Sequence, residues 1–216
     1  DAIRAEFDTY TDINEWRRAG LNQWITQQAE PVFADGVWEA LADSGSQLVG
    51  DPVFGVDVSR DRSEAVICSA GWASDGRSHV EVVDSRNGSR WVVERLVELY
   101  ERWHGTVLLD GGSSAGSLIA DLEAANVPLR IMGSRDVARA CGKFRDAVTD
   151  GVLVHLDQPL LNDAVQAAAL RDLGDAQAWN RRSATASITA LIAASNALYG
   201  LASDANSGDD PGVWFL

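Results

Sequence analysis

Cysteine is scarce: the 216 residues carry two, Cys68 and Cys141. They form no CxxC, and no histidine stands near either at ligand spacing, which argues against a zinc site. Both read as reduced core residues of a cytosolic protein. Long apolar runs are missing as well. None approaches the ~20 residues a membrane helix needs. No charged-then-apolar leader is visible, and a chain opening on Asp1 is expected to be a fragment or processed product of a longer protein. Repeats and low-complexity tracts are absent. Positive charge is short, with 18 Lys and Arg against 32 Asp and Glu, a formal net charge of −14. That balance argues against a general nucleic-acid coat, because phosphate binding wants a basic surface. It leaves room for an enzyme that meets DNA through a local patch. Arg130, Arg135, Arg139, Lys143 and Arg145 supply one, against Asp136 and Asp146; the bland reading of that run is a solvated helix face.

What is present suits one domain with a full core and an appendage. A hydrophobic fraction of 46% and a charged fraction of 23% are those of a globular protein. Residues 1–50 are acidic and polar, with Phe7, Trp16, Leu21 and Trp24 as anchors and VWEALAD, Val37 to Asp43, as a short helix. They read as a connector arm, bounded by the Gly, Ser and Pro of DSGSQLVGDP. Residues 51–203 form the domain, and 204–216 a flexible tail. Strands are predicted over Val53–Val58, Glu64–Trp72 and Ser78–Asp84, separated by SRDRS and ASDGR, as an antiparallel meander. Helix then alternates with strand: a helix over Ser89–Trp103, a strand over Gly105–Asp110, a helix from about Ser114 to Ala125, a strand over Val127–Met132, and a helix over Ser134–Val148 with Ser134 as N-cap. GVLVHL is a short strand and Pro159–Leu170 a helix. A hairpin turns at Gly174, and the last helix covers Ser187–Leu201. The order points to an α/β mixed sheet, antiparallel on one side and parallel on the other, with helices on both faces.

Two strands end in a carboxylate: GVD at Asp57 and LLD at Asp110. If the first and fourth strands lie side by side in parallel, both acids meet at the carboxyl edge of the sheet, where open α/β sheets bind ligands. Two close carboxylates repel unless a cation stands between them. Mg²⁺ or Mn²⁺ is the natural choice, being an oxygen-seeking ion that keeps waters for a phosphate. Such a pair suits two-metal phosphodiester hydrolysis. The competing reading is that each Asp starts a turn or caps a helix. GGSSAG, Gly111 to Gly116, could cradle a phosphate, but it lacks the Lys and spacing of a phosphate loop. It also lacks the GxSxG elbow of a serine hydrolase. His79, His104 and His155 do not cluster and read as structural.

VFGVDVSRDRSEAVICSAGW, TVLLDGGSSAG, KFRDAVTDGVLVH, GDAQAWNRR and ITALIAASNALYG, in that order, resemble the C-terminal nuclease domain of the large terminase subunit of tailed bacteriophages. LNQWITQQAEPVFADGVWEAL resembles the connector after the ATPase domain. No single motif is diagnostic; the ordered set, over roughly residues 15–201, is. The resemblance implies an RNase H-like fold and a metal-dependent endonuclease that cuts concatemeric phage DNA during packaging. It implies Mg²⁺ or Mn²⁺ on Asp57 and Asp110, an ATPase domain before Asp1, double-stranded DNA, a portal and a small terminase subunit as partners, and work in the host cytoplasm at the procapsid portal, with no membrane. With no Walker loop, this chain is not expected to hydrolyse ATP. The family's third acid is expected at the start of the last helix, where this chain has Ser187. Asp175 is the nearest substitute, with Asp146 and Asp150 as further candidates. Arg60, Arg62, Arg139, Lys143, Arg181 and Arg182 are expected to touch DNA phosphates without reading sequence. Two alternatives stay open: a catalytically silent module docking DNA or portal, and another protein of the broad fold, such as a resolvase.

Overall fold

A computed structural model describes residues 31–207. Phe7, Trp16, Leu21 and Trp24, and the tail from residue 208, lie outside the described residues. The chain divides into Asp1–Glu30 and Pro31–Leu216, and every described element belongs to the second unit. Its strands are β1 (Leu48–Val58), β2 (Glu64–Ala73), β3 (Ser78–Asn87), β4 (Val107–Asp110), β5 (Leu129–Met132) and β6 (Leu153–His155), followed by the hairpin β7 (Leu170–Leu173) and β8 (Ala176–Trp179). Its helices are α1 (Val92–Trp103), α2 (Ile119–Ala124), α3 (Ser134–Thr149), α4 (Pro159–Gln166) and α5 (Thr189–Ser207). None of the described helices is long and apolar enough to cross a membrane.

Six strands form one mixed sheet in the order β5-β4-β1-β2-β3-β6. The pairs β1–β2 and β2–β3 are antiparallel, while β1–β4, β4–β5 and β3–β6 are parallel. Central β1 is buried on both sides from Pro52 to Val58, which is why its sequence is a continuous apolar run rather than an alternation. One face is covered by α1, through Val92, Leu96 and Leu99, and by Leu122 of α2. That i, i+4, i+7 spacing is the stripe of an amphipathic helix. The other face is covered by α3, α4 and α5, through Phe144, Leu161 and Leu191 among others. This is the expected RNase H-like mixed sheet with helices on both faces.

Several boundaries differ from those the sequence predicts. Residues 31–47, assigned to the arm, pack on the body: Trp38 is buried, stacks on His155 at 3.8 Å between ring centroids, and donates Nε1–H to Asn162. β1 begins at Leu48, so a boundary at residue 50 falls inside a strand. Gly133, not Ser134, precedes α3, its amide held by the Asp136 carboxylate. α4 ends at Gln166, short of Leu170, which instead opens β7; the preceding Ala169 carbonyl accepts from the Asn180 amide after β8. α5 runs on to Ser207, past the expected end.

Two glycines shape the frame. Gly174, at φ +63°, makes the tight β7–β8 turn that a side chain would strain. Gly55 faces the α5 backbone, where a Cβ would collide with the Ala193 carbonyl oxygen and the Ala197 nitrogen. α5 therefore lies directly on β1, two residues before Asp57.

Candidate active site

The parallel pairing of Phe54 with Val107, Gly55 with Leu108 and Val56 with Leu109 leads, one step on, to Asp57 beside Asp110. Asp57 shares the α5 face with Gly55 and Val53, and Asp110 shares it with Leu108. Both strand-end acids thus stand at one edge and on one face of the sheet. Asp110 also turns the chain: its carboxylate accepts from the Gly112 amide at 2.8 Å and its carbonyl from Ser113. The turn role and the site role coexist in one residue.

Asp57 is fully buried, and a guanidinium covers it. Arg181 donates from Nη1 to Oδ2 at 2.5 Å and from Nη2 to Oδ1 at 2.6 Å. Burial pushes the Asp57 carboxyl up to about 6, against the lowering pull of Arg181, and the Asp110 charge adds to the rise. Burial works to lower the Arg181 guanidinium, but the charge and hydrogen bonds of Asp57, with Asp110 behind them, outweigh it and raise it. The cation that makes these carboxylates compatible in this structure is therefore a side chain of the protein. The sequence suggests a DNA phosphate as the partner of Arg181; the structure puts it on Asp57.

Arg181 is aimed by the β7–β8 hairpin. Trp179 ends β8 buried, donating Nε1–H to Ser195 of α5 at 2.9 Å and meeting Phe144 edge-on. Asn180 then folds the chain, its carboxamide oxygen accepting from the Arg182 and Ser183 amides. Arg181 emerges between two open cavities. One, of about 560 Å³, is lined by Arg60, Glu64, Arg181 and Ser187 among others. The second, of about 520 Å³, is lined by Asp110, Ser113, Arg60, Arg171, Arg181 and Arg182 among others. Among the described residues, no carboxylate pairs with the side chains of Arg60, Arg171 or Arg182. In a chain of net charge −14, three such arginines at one cavity mark an anion site.

The other expected residues are dispersed. Arg62 donates to the Ser114 carbonyl and to the Ser117 and Ser89 hydroxyls, clamping the β1–β2 loop to its neighbours. Arg139 and Lys143 lie on α3. Arg139 lines a separate groove with Arg135, Gly174 and Asp175. Asp175 is exposed at the hairpin tip and lines that groove, apart from the cavity that Asp110 lines. Asp146 is exposed on α3 and Asp150 is its C-cap. Ser187 caps the start of α5 by accepting from the Thr189 amide, and its hydroxyl donates to the Glu64 carboxylate.

Glu64 and Arg171 are site residues that the sequence pattern did not single out. Asp57 pairs with Val66 across β1–β2, so Glu64, two residues away on the same face, is diagonal to Asp57. The period-2 parity of β2 carries that signal once the register is known. Among the described residues no three His, Cys, Asp or Glu side chains converge to hold a metal ion. The donor chemistry nevertheless fits a hard divalent cation: two carboxylates share one strand edge, and one of them already binds a cationic group through both oxygens.

No protein-family model matches the chain, and no curated protein sequence matches it. Solved structures do match in shape. The large terminase of bacteriophage HK97 superposes with a TM-score of 0.65 at 17% identity, covering 79% of this chain, which spans 43% of that one. The large terminase nuclease of the thermophilic phage G20c superposes with a TM-score of 0.57 at 15% identity, covering 77% of this chain and 96% of its own. That nuclease has also been solved with bound magnesium and with bound cobalt. The chain therefore has an RNase H-like α/β fold. Within that class, its fold is the one found in phage large terminase nuclease domains.

Proposed function

We propose that this chain is a divalent-metal-dependent DNA endonuclease domain that cuts concatemeric viral DNA during genome packaging. The observation that carries the reading is the placement of Asp57 and Asp110 on adjacent strand ends and on one face, with Asp110 lining an arginine-rich cavity and Asp57 buried beneath Arg181. The terminase fold and the magnesium bound by the G20c nuclease support it.

Asp57 and Asp110 would hold Mg²⁺ or Mn²⁺, which supplies an activated water and charge stabilisation for phosphodiester hydrolysis by the two-metal route. The chain's own part is positional. Buried Asp57 is fixed by β1, and Asp110 by its hydrogen bond from Gly112. Arg60, Arg171 and Arg182 would hold backbone phosphates at the cavity without contacting bases, so cutting needs no base contact. An ATPase domain elsewhere in a longer protein, a portal and a small terminase subunit complete the proposed setting, in the host cytoplasm.

A second reading, a catalytically weak or silent module docking DNA or portal, draws on Ser187 and on the absence of a converging acidic trio among the described residues. Supercoiled plasmid incubated with the protein and Mn²⁺ separates the two. Nicking or linearisation that disappears in both Asp57→Asn and Asp110→Asn is the expected result. Undiminished cleavage by both variants would reject the site, and no cleavage by the parent chain would favour the silent module.

A further inference from the structure

Arg181 has one guanidinium and two anions competing for it. It holds both oxygens of Asp57, and it lines the arginine-rich cavity where a phosphate would arrive. We propose that Arg181 and a divalent cation are alternative occupants of Asp57, and that the arginine, once displaced, takes a DNA phosphate. Cation binding and DNA-backbone binding then strengthen each other. This rests on the reading of the site as a metal nuclease and adds to it a competition at a named carboxylate.

Three observations carry it. First, the pairing is bidentate, so both Asp57 oxygens are engaged by Arg181 while it stays. Asp57 is fully buried and its Arg181 partner is 25% exposed, so the arginine is the side of the pair that solvent reaches. Second, Asp57 is the only hydrogen-bond acceptor of the Arg181 side chain among the described residues. The two open cavities flanking Arg181 give a displaced guanidinium room on either side. Third, removing one partner from a buried ion pair leaves an uncompensated charge. Arg181 is therefore held until another cation replaces it, and a guanidinium expelled from one anion suits a phosphate, which it binds in the same forked geometry. Linkage makes the effect reciprocal: whatever draws Arg181 toward phosphate must tighten the cation site to the same degree.

The test is calorimetric and spectroscopic, without turnover. Mn²⁺ is titrated into the parent chain, Arg181→Gln and Arg181→Lys, with Asp57→Asn as the control that abolishes the site. Arg181→Gln is expected to bind Mn²⁺ about tenfold more tightly than the parent, within the usual range of coupling. In the parent chain, slowly exchanging guanidinium NMR signals of Arg181 should be lost on Mg²⁺ titration, in step with binding; this needs no variant to fold. Affinity for a short duplex should rise when Ca²⁺ is added to the parent and stay level in Arg181→Gln. Equal Mn²⁺ affinity in parent and Arg181→Gln, with Arg181 signals intact at saturating Mg²⁺, would overturn the competition while leaving the nuclease reading standing. No Mn²⁺ binding by any of these proteins would overturn the metal site itself.

Discussion

Asp57 concentrates the chemistry into one side chain, and its protonation should be visible without DNA. The carboxyl titrates near 6 in the folded chain, because burial penalises its charge, against an ordinary value of 3.8. Between those values the folded state holds a proton that the unfolded chain has released. Metal-free protein should therefore gain stability as pH falls from about 7 to about 4, and carry the full penalty above about 7. The swing attributable to Asp57 is roughly 2–3 kcal/mol. Urea unfolding at several pH values in chelator, comparing parent with Asp57→Asn, checks it: the variant's profile should be flatter over that window. Ser195 makes a second residue-scale case. It accepts the Trp179 Nε1–H and donates to the Leu191 carbonyl, all buried. Ser195→Ala strands a buried donor one residue before the Asn180 turn, at a cost of about 1–3 kcal/mol in denaturant unfolding.

Among elements, the contact of α5 with β1 decides whether the site is assembled. Gly55→Ala drives a methyl group into the α5 backbone at Ala193 and Ala197, where no side chain can rotate away. Overpacking of this kind costs about 1–3 kcal/mol or more. Because Gly55 is two residues from Asp57, the variant should also lose Mn²⁺ affinity, measured by titration, beyond what its melting temperature explains. The elements themselves were readable. β1 announces itself as a buried strand by a run of apolar residues, and α1 by Val92, Val93, Leu96, Val97 and Tyr100 at helical spacing. The placement of β6 beside β3 was not readable, since three residues, LVH, pair with Ser78, His79 and Val80 from far along the chain.

For the molecule as a whole, the net charge of −14 repels DNA everywhere except at local arginine clusters. Duplex binding should accordingly be steeply salt-dependent and owed to few contacts. Replacing Arg171 or Arg182 with Ala should each lower the slope of log K against log salt by about 0.9, the share of one phosphate contact. Arg62→Ala, whose donors are engaged within the protein, should leave that slope unchanged while reducing stability. Filter binding over a salt series distinguishes the two effects.

Periodicity and strand-end chemistry were determined by the sequence alone. The apolar runs place the strands, and an Asp closing each of two buried strands marks Asp57 and Asp110, because a charge next to a core demands a partner. The partner itself was decided only by the tertiary structure. Arg181 lies 124 positions from Asp57, and Ser187 lies 123 from Glu64. Local pattern carries no information about which distant side chain will pair with a buried carboxylate. That choice comes from the sheet order, the seat of α5 on Gly55 and the turn at Asn180, which together bring one guanidinium, of the many in the chain, onto one carboxylate.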